Sequence, residues 1–238
     1  MFFEVNDMTH QECLNALRGR LIVSCQALED EPLYSDFIMS RMACAAREGG
    51  AAGIRANTVK DIAAIRQAMN LPVIGLIKRV FPDSPVYITP TMEEIDALAK
   101  TGCEIIALDA TCRPRPGGET LDALFAKARK KYPHQLFMAD VSTRQEGVHA
   151  GEIGFDLVGT TLSGYTEESR GRTLPDFELM AALAGALSCP VIGEGGIWTP
   201  EQLRRAMDCG VHACVVGTAI TRPREITRRF VRALEANA

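Results

Sequence analysis

The sequence predicts a (β/α)8 barrel: one α/β domain over residues 1–238, carrying an extra N-terminal helix within about residues 1–20. Three observations predict it. Eight short apolar runs alternate with eight amphipathic segments along the chain. The runs are nearly continuous in Val, Ile, Leu, Ala and Cys, as parallel strands covered on both faces are. An internal echo links two of the units. "LPVIG" at 71–75 returns as "CPVIG" at 189–193, and each is followed by a Thr-Pro and a similar helix-then-strand stretch, the mark of a repeated half-barrel. A doubly wound open sheet is the alternative. No G-x-G-x-x-G follows the first strand, which removes its usual dinucleotide-binding form.

The elements read off in order. A helical pattern over about residues 9–19 precedes the barrel. The first unit pairs strand "LIVSCQ" (21–26) with helix "DFIMSRMACAAREG" (36–49), and the second pairs "AAGIRA" (51–56) with "TVKDIAAIRQAMN" (58–70). "PVIGLIK" (72–78) leads to "TMEEIDALAKTG" (91–102), and "EIIALDA" (104–110) to "ETLDALFAKARKKY" (119–132). "QLFMAD" (135–140) leads to "STRQEGVHAGEIG" (142–154), and "FDLVGT" (155–160) to "DFELMAALAGAL" (176–187). "PVIGEG" (190–195) with "TPEQLRRAMDCG" (199–210), then "ACVVGT" (213–218) with "REITRRFVRALEAN" (224–237), complete the set. Thr or Ser opens several helices as an N-cap. Gly49, Gly102 and Gly210 follow helix ends as C-cap residues do.

Composition excludes several function classes. The chain is 47% hydrophobic and 24% charged with net charge −4, the balance of a soluble globular protein. No basic tract marks a nucleic-acid partner, and no uncharged run approaches a membrane span. The N-terminal stretch does not read as a signal peptide. The eight cysteines form no C-x-x-C pair and read as small core hydrophobes in a reducing compartment, so a cytoplasmic location is expected.

In such a barrel chemistry belongs at the C-terminal ends of the strands. Those ends are Gln26, Arg55, Lys78, Asp109, Asp140, Thr160, Glu194 and Gly217-Thr218. A lone lysine closing "LPVIGLIK" would ordinarily snorkel into water. A full ring of polar exits makes a functional Lys78 the better reading. Arg55 nearby and burial in the barrel mouth both lower an ammonium pKa, which suits Lys78 as general base or Schiff-base nucleophile. Glu194 and Asp140 are the carboxylates able to move a second proton or orient a hydroxyl, and Asp109 has loop anchoring as its other role. Gly195-Gly196 and Gly217-Thr218 sit on adjacent loops, where backbone N–H groups converge on an anion; the simpler reading is tight turns. Arg222 stands close enough in sequence to clamp a phosphate. No histidine falls at a strand exit, and no His/carboxylate cluster suggests a metal. "CRPRPGGET" (112–120) reads as a rim loop with Arg113 and Arg115 exposed. "TLSGYTEESRGR" (161–172) reads as a lid whose Tyr165 either bonds a sugar or packs the loop down.

The ordered segments "LIVSCQA", "GIRAN", "PVIGLIKR", "ITPTMEEIDAL", "IIALDATCRPRP", "MADVST", "GTTLSGYT", "GEGGIWTPEQ" and "VVGTAITRP" resemble those of the N-acylglucosamine-6-phosphate 2-epimerase family, over about residues 14–235. Residues 1–12 fall outside the pattern. The resemblance implies a (β/α)8 TIM barrel of the ribulose-phosphate-binding type. It implies interconversion of N-acetylmannosamine 6-phosphate and N-acetylglucosamine 6-phosphate at C2, in sialic acid and amino-sugar catabolism, without metal or organic cofactor. It also implies that Lys78 handles the C2 proton and Glu194 assists. Gln26, Arg55 and Asp140, with Thr160 and Tyr165 as further candidates, would hold the sugar, and Arg222 with the two glycine loops its phosphate. A homodimer is implied, with a small sugar phosphate as the other partner. Two other readings stay open: a Schiff-base aldolase or synthase on the same phosphate-binding barrel, and a non-catalytic sugar-phosphate-binding protein.

Overall fold

The computed structural model describes residues 8–235, so residues 1–7 of the expected N-terminal extension lie outside the described residues. Strands β1 (Leu21–Cys25), β2 (Gly53–Asn57), β3 (Val73–Leu76), β4 (Ile105–Asp109), β5 (Leu136–Asp140), β6 (Leu157–Gly159), β7 (Val191–Glu194) and β8 (Ala213–Val216) pair in parallel, each with the next. β8 returns to β1 through Leu21↔Cys214 and Ile22↔Val215 and closes the barrel. Each strand is shorter than the apolar run that predicts it; most give up their last residues to the rim, while β2 and β5 start later than their runs and keep the C-terminal end.

The period of two along each strand sorts the side chains. Ile22, Ile74, Leu76, Ile105, Ala107, Leu136, Met138, Leu157, Ile192, Ala213 and Val215 fill the barrel interior. Their neighbours Val23, Cys25, Ile54, Ala56, Ile106, Phe137, Val158 and Val191 point outward and pack against the helices. The same alternation, carried to the strand ends, delivers polar side chains inward at the C-terminal mouth.

The outer layer is α2 (Asp36–Glu48), α3 (Val59–Ala68), α4 (Met92–Ala99), α5 (Leu121–Lys131), α6 (Arg144–Glu152), α7 (Phe177–Ala186), α8 (Pro200–Asp208) and α10 (Pro223–Glu235). Thr91, Thr143 and Thr199 build capping boxes with Glu94, Glu146 and Gln202, satisfying donors that a helix start leaves unpaired. A four-residue helix, α9 (Thr218–Thr221), stands where the eighth strand was expected to run on to residue 218. At the end of α2 Gly49 is the C-cap, in right-handed conformation (φ −74°), and the left-handed residue is the one after it, Gly50 (φ +96°).

The extra helix, α1 (His10–Leu17), plugs the N-terminal end of the barrel. Its Cys13 and Leu17 join the interior cluster. Gly53 leaves room for it: a Cβ there would stand 2.6 Å from Leu17 Cδ2. The histidines are structural on this face. His212 Nε2 meets Leu14 O at 2.8 Å and His10 Nε2 meets His134 O at 2.5 Å, while His149 pairs with Asp122 on the outside. Not every cysteine is a core hydrophobe: Cys112 is exposed, because it lies on the rim loop after β4 rather than in a packed run. No helix among the described residues is long and apolar enough to cross a membrane.

Candidate active site

A cavity of about 680 Å³ opens at the C-terminal mouth. It is lined by Gln26, Arg55, Lys78, Tyr165, Glu194, Gly195, Gly196, Gly217, Thr218 and Arg222, so ten of the sequence-derived candidates converge on one space. Lys78 stands just past β3, where its backbone N–H donates to Asn57 Oδ1 at 2.9 Å and an antiparallel bridge to Ile88 begins a hairpin.

Arg55 is the centre of the floor and is 1% exposed. Its NH1 and NH2 donate to Asp140 Oδ1 and Oδ2 at 3.0 and 2.5 Å, and NH1 also donates to Glu194 Oε2 at 2.7 Å. Burial alone would lower the guanidinium pKa, but Asp140 and Glu194 hold it up. Arg55 is thus engaged mainly by protein carboxylates, with its buried Nε left unpartnered. Asp140 does not line the cavity; it lies behind Arg55.

Lys78 differs from its cationic neighbours. Burial, then Arg55 and Arg222, push its ammonium pKa down to about 8, against a smaller opposing pull from Glu194 and Asp140. Glu194 shifts the other way: burial and the Asp140 charge raise it, and Arg55, Thr161 and Lys78 temper the rise. Opposite shifts in one cavity place a readily deprotonated amine beside a readily protonated carboxyl, the arrangement acid–base chemistry requires.

Thr160 is a correction. Its hydroxyl donates to Glu194 O at 2.7 Å and accepts from Glu194 N–H at 3.0 Å, so it has no role toward a ligand in this arrangement. Alternation from Leu157 through Gly159 brings Thr161 inward instead, and Thr161 lines the cavity. That parity was the available signal. The rim loop is a second correction. Arg115 is 1% exposed, and Arg113 folds back to pair with Asp109 at 2.5 Å. Arg115 NH1 donates to the Asp109 main-chain carbonyl at 2.7 Å, so Arg113 holds the buried carboxylate, Arg115 the backbone of the same residue, and Asp109 anchors the loop. Tyr87, Ser24, Glu31 and Trp198 line the cavity without having been singled out.

The opposite wall carries the two glycine turns. Gly195 and Gly196 have φ +113° and +70°, the region that favours glycine. A Cβ on Gly196 would stand 2.5 Å from Leu174 Cβ. Gly217 needs its small size for another reason: its Cβ would meet Ser24 Cβ at 3.0 Å. Arg222 is held by Glu31, while its Nε is buried and unpartnered; Gln26 Oε1 is likewise buried without a donor. Unpaired buried donors and acceptors in a cavity wall are the sites a ligand would satisfy. Gly196→Ala should lower stability by about 1–3 kcal/mol through backbone strain and the Leu174 clash; chemical denaturation reads it out, and an unchanged midpoint would refute the packing argument.

Comparison with known proteins fixes the lineage. The family described as "Putative N-acetylmannosamine-6-phosphate epimerase" matches residues 39–236. The chain belongs to this family. A relative from Enterobacter sp. strain 638, named "Putative N-acetylmannosamine-6-phosphate 2-epimerase", is 56% identical over 227 residues, covering 94% of this chain and 97% of its own. A like-named relative from Clostridium perfringens strain ATCC 13124 is 55% identical over 226 residues, covering 93% of this chain and 100% of its own. A solved structure of the N-acetylmannosamine-6-phosphate 2-epimerase from Clostridium perfringens superposes with a TM-score of 0.90 at 54% identity, covering 94% of this chain and 97% of that one. Membership makes the protein an isomerase of the epimerase type.

Proposed function

We propose that the protein interconverts N-acetylmannosamine 6-phosphate and N-acetylglucosamine 6-phosphate, with Lys78 as the base at C2. The observation that carries this is one cavity holding Lys78, its pKa near 8, opposite two glycine turns and Arg222 Nε. The family relationship supports the substrate pair.

The chemistry follows from the acidity of the bond broken. A C2 hydrogen is acidic only beside a carbonyl, so the pyranose must open to its C1 aldehyde. Glu194, whose carboxyl is held above the usual range, gives and takes the protons that ring opening moves between oxygens. Neutral Lys78 then takes the C2 proton. The electron pair moves onto O1 as an enolate beside the new ammonium, which stabilises it. Arg55 is committed to Asp140 and Glu194, so it fixes the carboxylates rather than meeting the enolate. Return of a proton to the other face gives the epimer. The phosphate, on the glycine turns and Arg222, fixes the sugar against the base. Gln26 Oε1 would accept from a sugar hydroxyl or the acetamido N–H, and Tyr165, 62% exposed, would close over it.

Lys78 serves both faces in this reading, since among the described lining residues it is the one amine and there is no imidazole. Proton NMR of N-acetylmannosamine 6-phosphate with the protein in D₂O, under chelation, tests it. The gluco epimer should appear with deuterium at C2, and a fraction of the first turnovers should keep hydrogen, as a single base returns its own proton. Deuterium in every first-turnover product would count against a single base that returns its proton before exchanging with solvent, and binding without exchange would sink the epimerase reading. A lysine of lowered pKa suits a Schiff base as well. Borohydride trapping of substrate on Lys78 would favour the aldolase reading. The proposal places the reaction in amino-sugar breakdown, including that of sialic acid, in the cytoplasm. It includes a homodimer: α10 leaves Phe230, Val231 and Leu234 exposed, an apolar stripe for a second copy. Light scattering should give twice the chain mass.

A further inference from the structure

A carboxylate stands in the wall of the cavity that the glycine turns and Arg222 share. Glu31, on the loop between β1 and α2, lines that space, and its side chain is 7% exposed. By charge alone it would repel a phosphate dianion. Its contacts give it another role. Oε2 accepts the Leu28 N–H at 2.9 Å and so closes its own loop. Oε1 accepts from NH2 of Arg222 and, at 3.2 Å, from NH2 of Arg224. One oxygen thus fixes the carboxyl in place, and the other holds cations from the far end of the chain.

The two arginines differ in where they stand. Arg222 lines the cavity; Arg224, 43% exposed, does not. Arg222 is the C-cap residue of α9, and that short helix is pinned to β1 where the Thr221 hydroxyl donates to Ser24 O at 2.7 Å. The backbone is therefore set, while an arginine side chain left to itself still samples many rotamers. Glu31 removes that freedom. A guanidinium carries five N–H donors in one rigid plane, so seating NH2 on Glu31 also sets the place of the remaining donors. Among them Nε is buried and unpartnered. Glu31 occupies one donor of Arg222 and leaves another for a ligand.

We propose that Glu31 is a positioning residue: it holds the Arg222 guanidinium in the orientation that meets the substrate's phosphate. The inference rests on the phosphate reading of this cavity and adds to it an acid that supports an anion site. The sign of its effect separates support from mere presence. Removing a bystander carboxylate would tighten phosphate binding. Removing a positioning one weakens it, because the complex must then order a flexible arginine.

Calorimetric titration of the purified protein with inorganic phosphate tests this without turnover. Glu31→Ala should weaken phosphate binding about tenfold. Arg222→Ala should weaken it at least as much, and in the double variant the Glu31 change should cause no further loss, since its effect runs through Arg222. Glu31→Gln keeps an oxygen for Arg222 and should recover most of the affinity. Unchanged or tighter binding in Glu31→Ala would overturn the assignment alone. So would a full further loss in the Arg222→Ala background, or no recovery in Glu31→Gln, either of which would make the Leu28 loop anchor the cause. Undiminished binding in Arg222→Ala would instead overturn the phosphate reading and this assignment with it. The kinetic arm depends on the epimerase reading as well: Glu31→Ala should raise KM for N-acetylmannosamine 6-phosphate about tenfold, with kcat held within about twofold. A fall in kcat at unchanged KM would count against positioning of the phosphate. Because the titration uses phosphate alone, it decides the assignment even if the protein does not epimerise the sugar.

Discussion

Lys78→Met should abolish C2 exchange while making the folded protein more stable at neutral pH. The loss of turnover follows from removing the base, an effect of about 10²–10⁴ or more for a single positioned group. The gain in stability follows from the same burial that makes the lysine useful. Its pKa falls from 10.5 to about 8 in the fold, with burial the leading cause. The charged form is therefore disfavoured in the folded state. Below pH about 8 the whole penalty is present. It fades as pH rises toward the unfolded value, where both states lose the proton, so wild-type stability should rise across that window. Lys78→Met carries no ammonium and keeps the apolar stem, so its advantage should be largest at neutral pH and vanish in strong base. Urea midpoints at several pH values, with NMR exchange at each, would measure both. In the wild type, kcat/KM should climb with pH toward a plateau above about 8 as the neutral amine forms. A variant that is inactive yet less stable at pH 7 would show that the lysine is solvated, and the pKa argument for its role would go with it.

The barrel was legible because its strands are buried on both faces, which leaves an unmistakable run of apolar residues before each rim. The rim was legible too, since a polar residue closing such a run has few structural reasons to be there. Register was harder. "FDLVGTT" ends on two threonines, and choosing Thr160 over Thr161 ignored the period of two that Leu157 and Gly159 set. Applied from the apolar core upward, that period reaches Gln26, Arg55, Lys78, Asp140, Glu194 and also Thr161. What no local pattern carries is pairing across the barrel. Arg113 and Arg115 look like exposed loop cations until Asp109, buried beside them, is seen to claim both. Glu31 lies in a loop with other acids, and only the closed ring brings it to Arg222. The four-residue helix after β8 was hidden because "VVGTAIT" is as apolar as the strand it continues.

Arg55→Met should destabilise the protein severely at neutral pH and recover in acid. In the wild type one guanidinium, 1% exposed, pairs with Asp140 and Glu194 together. Removing it leaves Asp140, fully buried, and Glu194, at the cavity floor, facing each other with no cation between them. Breaking a buried pair in this way typically costs about 3–5 kcal/mol, chiefly from the charge left uncompensated. The variant can escape by protonating, so the pKa of one or both acids must rise well above the unfolded range. A carboxyl with a raised folded pKa destabilises the fold above its unfolded pKa and ceases to do so once pH falls below it. The deficit should therefore be greatest near pH 7 and shrink toward pH 4, opposite to ordinary acid unfolding. A double variant, Arg55→Met with Asp140→Asn, should regain part of the loss by removing one of the two charges. Denaturation of the wild type and both variants across that range would decide it. A deficit independent of pH would mean that the guanidinium acts by filling space, and the electrostatic reading of the floor would fail. Activity near neutral pH should be lost in Arg55→Met, because Lys78 would then titrate against two unneutralised carboxylates and hold its proton. That retention is separable from unfolding: in folded Arg55→Met, C2 exchange should reappear only at a pH well above the wild-type onset.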